Sequence, residues 1–267
     1  MDSVSIVNGF NIKRMLLSSL IIEREELESY ICPALERDYN EKLGRLEYSV
    51  AQTRCKLLRQ RRRCEYLRAA SEYRRRADLD RYIARAEHQL DIEFARMNER
   101  LAAQKKRMDI IDAYIAAQRV MSDTEYDRLR RAYRSAVIML HPEIISDRSE
   151  TVSQLCGAAQ NSYRTGDSAR LGLINSFVNS GYLKYKASPS DIPDYIGMSA
   201  VYDGRISREK ELISKIRESF PIIKRSLLDD DIRVARRRRS LNDTLAGLDA
   251  SIDSLIEDEK RMTSDVT

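Results

Sequence analysis

LRRAYRSAVIMLHPEIIS, residues 129–146, is the stretch that decides the fold. It begins as an amphipathic helix, because its apolar and aromatic residues return at intervals of three and four, which places them on one face. The helix has to end at Pro142, since proline donates no amide hydrogen and disfavours helical geometry in the residue before it. The sequence therefore predicts a helix that ends in a His-Pro-acid turn, His141-Pro142-Glu143.

Helical patterns continue on both sides of this stretch. Ser122 and Glu125 have the spacing of a capping box, and Asp147 and Glu150 again have cap spacing after the turn. A second apolar stripe follows, and a Thr-Gly-Asp break at residues 165–167 separates it from a third. We expect the first two helices to pack antiparallel, with the turn at the exposed tip of the hairpin. The inward residues are Tyr126, Leu129, Tyr133, Ala136, Val137 and Leu140, then Val152, Leu155, Ala159 and Tyr163, then Leu171, Ile174 and Val178.

The composition favours long helices throughout the 267 residues. Charged residues make up 33 % of the chain and hydrophobic ones 42 %, with only 9 Gly, 5 Pro and no Trp. Heptad seams run through residues 39–67 and 83–115, and again through residues 206–227 and 234–262. The simplest way to bury the first two seams is an antiparallel hairpin with its bend near residues 75–79, and a parallel homodimer is the alternative.

We therefore predict an all-α fold in which long coiled-coil helical hairpins flank a small helical unit. Residues 187–205 hold two prolines and two glycines and show no sustained period, which favours a linker. The predicted divisions are an N-terminal segment 1–33, a hairpin 34–120, the small unit 121–186, the linker 187–205 and a C-terminal hairpin 206–267.

The predicted turn has the features of a docking surface. Proline stiffens it, while His141 and Glu143 offer a hydrogen-bonding group and a charge. Arginines lie on the side of the preceding helix away from its stripe, and this arginine face suits an acidic partner. Its members are Arg128, Arg130, Arg131 and Arg134.

At residues 129–143 the sequence resembles the J-domain, the DnaJ-type module that stimulates the ATPase of DnaK-type chaperones. The shared features are the Tyr133-Arg134 pair, the basic helix face and the His-Pro-acid loop, and residues 161–167 (NSYRTGD) resemble the end of the family's next helix. The layout is also similar to bacterial J-domain-like proteins with flanking coiled coils, in which a motif like residues 219–231 (SFPIIKRSLLDDD) lies between two late helices. The resemblance implies that the loop and the arginine face contact a DnaK-type chaperone.

The chain departs from the family in three ways. Glu143 stands where the family has aspartate, and its extra methylene moves the carboxylate by more than about 1 Å. Cys156, Ala159 and Ser162 stand where the family usually has larger apolar residues and an alanine. The family's short opening helix is missing before Ser122, a place that the end of the second seam helix could take.

Other signals are weaker. The four cysteines form no CxxC pair, neither histidine lies at ligand spacing from them, and no Gly-rich phosphate loop or nucleophile–base arrangement occurs. We therefore expect no enzyme, metal or cofactor. The arginine runs 61–63, 74–76 and 236–239 are interpreted as solvated helix faces. The apolar run Met15–Ile22 is too short to span a bilayer, and a cytoplasmic protein is expected.

The leading interpretation is a non-enzymatic J-domain-like co-chaperone or adaptor that engages a DnaK-type chaperone, with coiled coils that bind a client or self-associate. The alternative is a structural coiled-coil scaffold with an inactive J-like unit. Nucleic-acid binding through the arginine runs is a third, weaker alternative, and no membrane partner is expected.

Overall fold

The computed structural model describes residues 3–70, 76–118, 121–145, 149–182 and 192–264. These residues are helical almost throughout and include no strand, which confirms the all-α prediction. The chain divides into two compact units, neither of which is continuous in sequence. Unit 1 comprises residues 1–36 and 113–223, and unit 2 comprises residues 37–112 and 224–267.

The described part of unit 1 is built on six α-helices and short turns between them. These are α1 (Ser3–Glu26), a π-helical turn (Leu27–Ile31) that leads into α2 (Cys32–Tyr39, to residue 36), α5 (Asp123–Leu140), α6 (Glu150–Thr165), α7 (Ser168–Phe177) with a π-helical turn (Val178–Tyr182), and α8 (Ile192–Arg217). The predicted capping box is confirmed, because the Ser122 side chain accepts from the Glu125 amide and the Glu125 side chain accepts in return. Gly166 ends α6 in the left-handed conformation that glycine adopts without strain, and Asp167 caps α7.

The helices α5, α6 and α7 and the turn after α7 bury the predicted residues, except for Tyr126 and Leu155, which are half-buried. The rings of Tyr133 and Tyr163 stack with centroids 4.2 Å apart, at the centre of the core that α5 and α6 share. Leu140 of α5 lies near Val152 of α6, so the two helices run antiparallel as expected. Large apolar residues of α1 complete this core, among them Leu17, Ile21 and Ile22. The segment 1–33 was predicted to be separate, but its helix α1 packs on α5 and is part of unit 1.

The helix α8 corrects the linker prediction. Residues 192–205 are helical, and α8 lies parallel to α1, with partners 185 to 194 positions apart in sequence. Lys13 pairs with Asp203 at 2.6 Å, and Phe10 stacks on Tyr202. Tertiary packing outweighs the weak local pattern, and Pro193 falls in the first turn, where a missing amide hydrogen costs nothing. Residues 187–191 lie outside the described part.

Helical structure also continues past Pro33. This proline cannot donate to the carbonyl of Ser29, four residues earlier, and the chain forms a π-helical turn just before it. The hydroxyl of Tyr114 and the side-chain amide of Gln118 donate to that carbonyl instead, at 3.0 and 2.8 Å. Two side chains from residues 113–118, around the end of the helix Arg76–Ala117, thereby satisfy the backbone group that the proline leaves open.

Unit 2 contains the remaining long helices. They are α3 (Arg45–Ala70), preceded by a π-helical turn (Asn40–Gly44), α4 (Arg76–Ala117, to residue 112), α9 (Arg225–Leu228) and α10 (Asp231–Ser264); a 3₁₀ turn (Ile222–Lys224) precedes α9. The first seam is buried as predicted, with Leu43, Val50, Leu57 and Cys64 inside. The second seam is buried at Leu90 but exposed at Met97 and Gln104.

The partners of the seams differ from the prediction. α10 runs parallel to α3, with Arg237 3.0 Å from Glu47 and the Cys64 thiol 3.5 Å from the Leu255 carbonyl. α4 runs antiparallel to α3 as the hairpin required, but the two helices meet through ion pairs such as Arg59–Asp91 at 2.7 Å. The C-terminal hairpin of residues 206–267 is corrected, since α8 packs on α1 in unit 1 and α10 on α3 in unit 2. The bend predicted near residues 75–79 falls on residue 75, outside the described part, and on residues 76–79, which are helical.

Candidate functional site

The His-Pro-Glu loop begins where α5 ends. His141 is the C-cap of α5, and its carbonyl oxygen accepts from the amides of Ile144 and Ile145 at 2.8 and 3.0 Å. The amide of Glu143 donates to Nδ1 of His141 at 3.2 Å. An Nδ1 that accepts a hydrogen bond is unprotonated, so the imidazole is neutral with its proton on Nε2.

The structure does not present His141 at an exposed tip, which corrects the prediction for this residue. Its side chain lies in the core with 5 % of the residue surface exposed, while Pro142 is exposed and Glu143 is half-buried. Burial, together with the positive charges of Arg24 and Arg205, lowers the pKa of His141 to about 4 against the opposing charge of Glu143.

Two side chains of α8 hold the loop in place. Arg205 donates to the Glu143 carbonyl oxygen, and its Nε lies 3.1 Å from the Glu143 carboxylate. The hydroxyl of Tyr202, itself fully buried, donates to the carbonyl of Ile144. The sequence pattern gave no hint of these contacts, because they come from residues 58 and 62 positions away in the segment interpreted as a linker.

The arginine face lies on the surface of α5, beside α1. Arg128, Arg130, Arg131 and Arg134 are all exposed. Arg130 pairs with Glu26 at 2.8 Å, and Arg134 donates to the Ser19 hydroxyl at 3.1 Å.

Three of these arginines line a cleft of about 670 Å³ between α1 and α5, which we call the α1–α5 cleft. Arg128 is not among its lining residues, which are Ser19, Ile22, Glu23, Asp127, Arg130, Arg131 and Arg134. The predicted arginines are therefore brought together, although a second helix borders them.

A second cleft, of about 540 Å³, lies between the loop and α6 and is lined by Leu140, Pro142, Glu143 and Cys156 among others. Burial raises the pKa of the Cys156 thiol to about 11, so the thiol stays protonated and is a poor nucleophile. Ser149 caps α6 through a hydrogen bond to the Val152 amide, where Asp147, outside the described residues, had been predicted to do so.

The other signals noted in the sequence behave as solvated or structural groups where they are described. Arg62 and Arg63 pair with acids of their own and neighbouring helices, Arg237 pairs with Glu47, and His88 is exposed. The side chains of residues 74–76 lie outside the described part. All four cysteines are free thiols. Within the described ranges, no helix combines the length and the apolar character needed to cross a bilayer.

Comparisons with protein-family models, curated proteins and solved structures find no match for this chain. What the site can do therefore follows from its own groups. A neutral buried imidazole and a protonated thiol offer little for catalysis, whereas exposed guanidinium groups at a fixed helix surface suit the binding of carboxylates.

Proposed function

We propose that this chain is a non-enzymatic, J-domain-like co-chaperone or adaptor that docks on an acidic surface of a partner, with a DnaK-type chaperone as the first candidate. The observation that carries the proposal is the exposed arginine face of α5 next to the His-Pro-Glu loop. Arg131 and Arg134 form no ion pair among the described residues, so their charges are available to a partner. The four free thiols support action in the reducing cytoplasm.

The proposal is tested by the ATPase rate of a DnaK-type chaperone with the purified full-length chain. The wild-type chain should raise that rate, and Arg131→Glu with Arg134→Glu should remove most of the stimulation by reversing two charges. Arg208→Glu, an exposed arginine on α8, is the matched control and should stimulate like wild type. No stimulation at saturating protein would exclude the co-chaperone activity.

The burial of His141 favours a second candidate function, a coiled-coil scaffold in which the loop serves packing alone. Arg205 and Tyr202 hold the loop to α8, which supports a structural role for it. An affinity pull-down separates the candidates by comparing wild type with His141→Gln. A scaffold keeps every association in the variant, whereas a co-chaperone that docks through the loop loses the chaperone.

A further inference from the structure

An exposed apolar stripe lies on α1. Ile12, Met15 and Leu16 expose 66, 58 and 41 % of their surface, which is unusual for three large apolar residues within five positions. Their spacing of three and four places them on one helix face. Ser19 and Glu23 continue that face at the same spacing, and both line the α1–α5 cleft. The apolar stripe therefore leads directly into the cleft that holds the arginines.

The contacts between α1 and α5 fix the stripe beside the arginines. Arg14 donates to the Ile138 carbonyl at 2.8 Å, one turn before the point where Arg134 meets Ser19. The two helices run antiparallel, since contacts that move forward along α1 move backward along α5. The opposite side of α1 is already used, because Leu17 and Ile21 are fully buried in the core of unit 1. Within the described part of unit 1, the packing of α1 on its neighbours therefore leaves the stripe exposed.

The charges of the cleft are mixed, and their positions favour a negative ligand near the stripe. Glu23 lies at the far end and is neutralised by Arg217 at 2.7 Å, and Asp127 lines the cleft as well. Arg134 lies next to Ser19, and among the described residues Arg131 donates only to the backbone carbonyl of Asp127. Two guanidinium groups that have no carboxylate partner among these residues therefore line the cleft. Arg134 lies at its stripe side, and Arg131 lies about one turn further along, level with Glu23.

We propose that this α1–α5 surface (Ile12, Met15, Leu16, Arg131, Arg134) binds an amphipathic helix of a partner protein that carries apolar residues on one face and carboxylates along its flank. A groove between two antiparallel helices accepts a third helix through apolar anchors, and charge complementarity fixes its orientation. The inference rests on the proposed function, because it names the partner segment that docks beside the loop. An anionic lipid surface would also suit apolar and basic side chains, and the experiment includes it as an outcome.

The probe is a synthetic helical peptide of about 18 residues, five turns, with leucine every third or fourth position and glutamate beside them. Fluorescence anisotropy with the full-length chain should show binding. A roughly tenfold or greater loss is expected for Met15→Glu with Leu16→Glu, and again for Arg131→Glu with Arg134→Glu. The control is Leu173→Glu, which changes an even more exposed apolar residue on α7 and should bind like wild type. Thermal melts establish that each variant is folded.

A charge-swapped peptide with lysine for glutamate sharpens the test. It should bind the arginine-reversed variant better than wild type, which loss of folding cannot produce. The inference is overturned if wild type does not bind the acidic peptide, or if the α1 variants bind it unchanged. Binding to anionic vesicles, but not to the peptide, would overturn it in favour of a lipid surface.

The same variants in the chaperone ATPase assay separate this inference from the proposed function. If the peptide binds at the α1–α5 surface but the chain does not stimulate the chaperone ATPase, the proposed function is wrong and this inference stands. If wild type and the α1 variants stimulate the ATPase equally, this inference is wrong and the proposed function stands.

Discussion

His141 sits at the end of α5 as a neutral side chain in a site that disfavours charge. Its imidazole is buried, and Arg24 and Arg205 are close enough to oppose a further positive charge. Protonation would also break its hydrogen bond from the Glu143 amide, because Nδ1 could then only donate. The residue is therefore a pH-dependent element of stability.

We expect the free energy of unfolding to fall as the pH drops from 6.5 towards 4. Folding lowers the pKa of His141 from its ordinary value of 6.5 to about 4, so between these values the unfolded chain binds a proton that the folded chain excludes. The contribution is complete above pH 6.5 and is lost as the pH falls through 4. Its loss by pH 4.5 should amount to about 2 kcal/mol, measured by urea unfolding at both ends of the range.

The His141→Gln variant is the control, because carboxylates also titrate in this range. The difference in pH dependence between wild type and variant isolates the histidine. An NMR titration of the His141 ring signals gives a direct check. A midpoint near pH 6.5 for His141 would contradict the prediction.

At the scale of the element, Pro33 shows how a helix tolerates a residue that should end it. The open Ser29 carbonyl is buried, so it needs donors from elsewhere, and Tyr114 and Gln118 supply them. We expect Tyr114→Phe with Gln118→Leu to lower the free energy of unfolding by about 2 kcal/mol, because the buried carbonyl is then unpaired. Urea unfolding measures the loss.

A double-mutant cycle with Pro33→Ala tests the cause of that loss. Alanine restores an amide at position 33 that can donate to the Ser29 carbonyl within the helix. The same two substitutions should therefore cost at least about 1 kcal/mol less in the Pro33→Ala background. Equal losses in both backgrounds would mean that Tyr114 and Gln118 stabilise by packing alone.

The contact of α8 with the His-Pro-Glu loop also belongs to the scale of the element. It predicts how fast the loop opens, which hydrogen exchange at its amides measures. Tyr202→Phe with Arg205→Ala removes the bonds to the Ile144 and Glu143 carbonyls but keeps the ring that stacks on Phe10. Hydrogen exchange at the amides of Ile144 and Ile145 should become about tenfold to a hundredfold faster. Arg208→Ala, on the same helix, should leave exchange unchanged. Unchanged exchange in the double variant would show that α8 does not restrain the loop.

At the scale of the whole molecule, the sequence predicted which face of a helix is buried better than it predicted which helices pack against each other. Apolar periodicity reports which side of a helix is buried, and it placed Leu43 and Val50 inside unit 2 and Tyr133 and Tyr163 inside unit 1 correctly. A heptad seam does not determine which helix packs against it or in which direction that helix runs. The parallel pairs α1–α8 and α3–α10 join segments about 190 residues apart, and no local pattern encodes that separation.

The candidate site likewise combines features that local sequence rules predicted with features that depend on residues far away in the sequence. The end of α5 at Pro142 and the exposed arginine face followed from local rules about proline and helix periodicity. The contacts that hold the loop to α8 come from Tyr202 and Arg205, which lie in a segment whose prolines and glycines hid its helix. The sequence pattern did not reveal the exposed stripe on α1 either, because Met15 and Leu16 share a short apolar run with the buried Leu17.

Unit 1 combines segments from distant parts of the chain, which leads to a last prediction on whether α5, α6 and α7 fold on their own. A fragment of residues 121–182 keeps α5, α6 and α7 but loses the buried side chains of α1 and α8 that share their core, such as Leu17, Ile21 and Tyr202. Each such side chain contributes about 2 kcal/mol, so the loss of several approaches the whole stability of a small domain. We expect the fragment to show weak helical circular dichroism and no cooperative melt, whereas the full chain melts cooperatively. A fragment that melts cooperatively with dispersed methyl signals would instead mean that α5 to α7 form an independent domain, and that α1 and α8 only cover it.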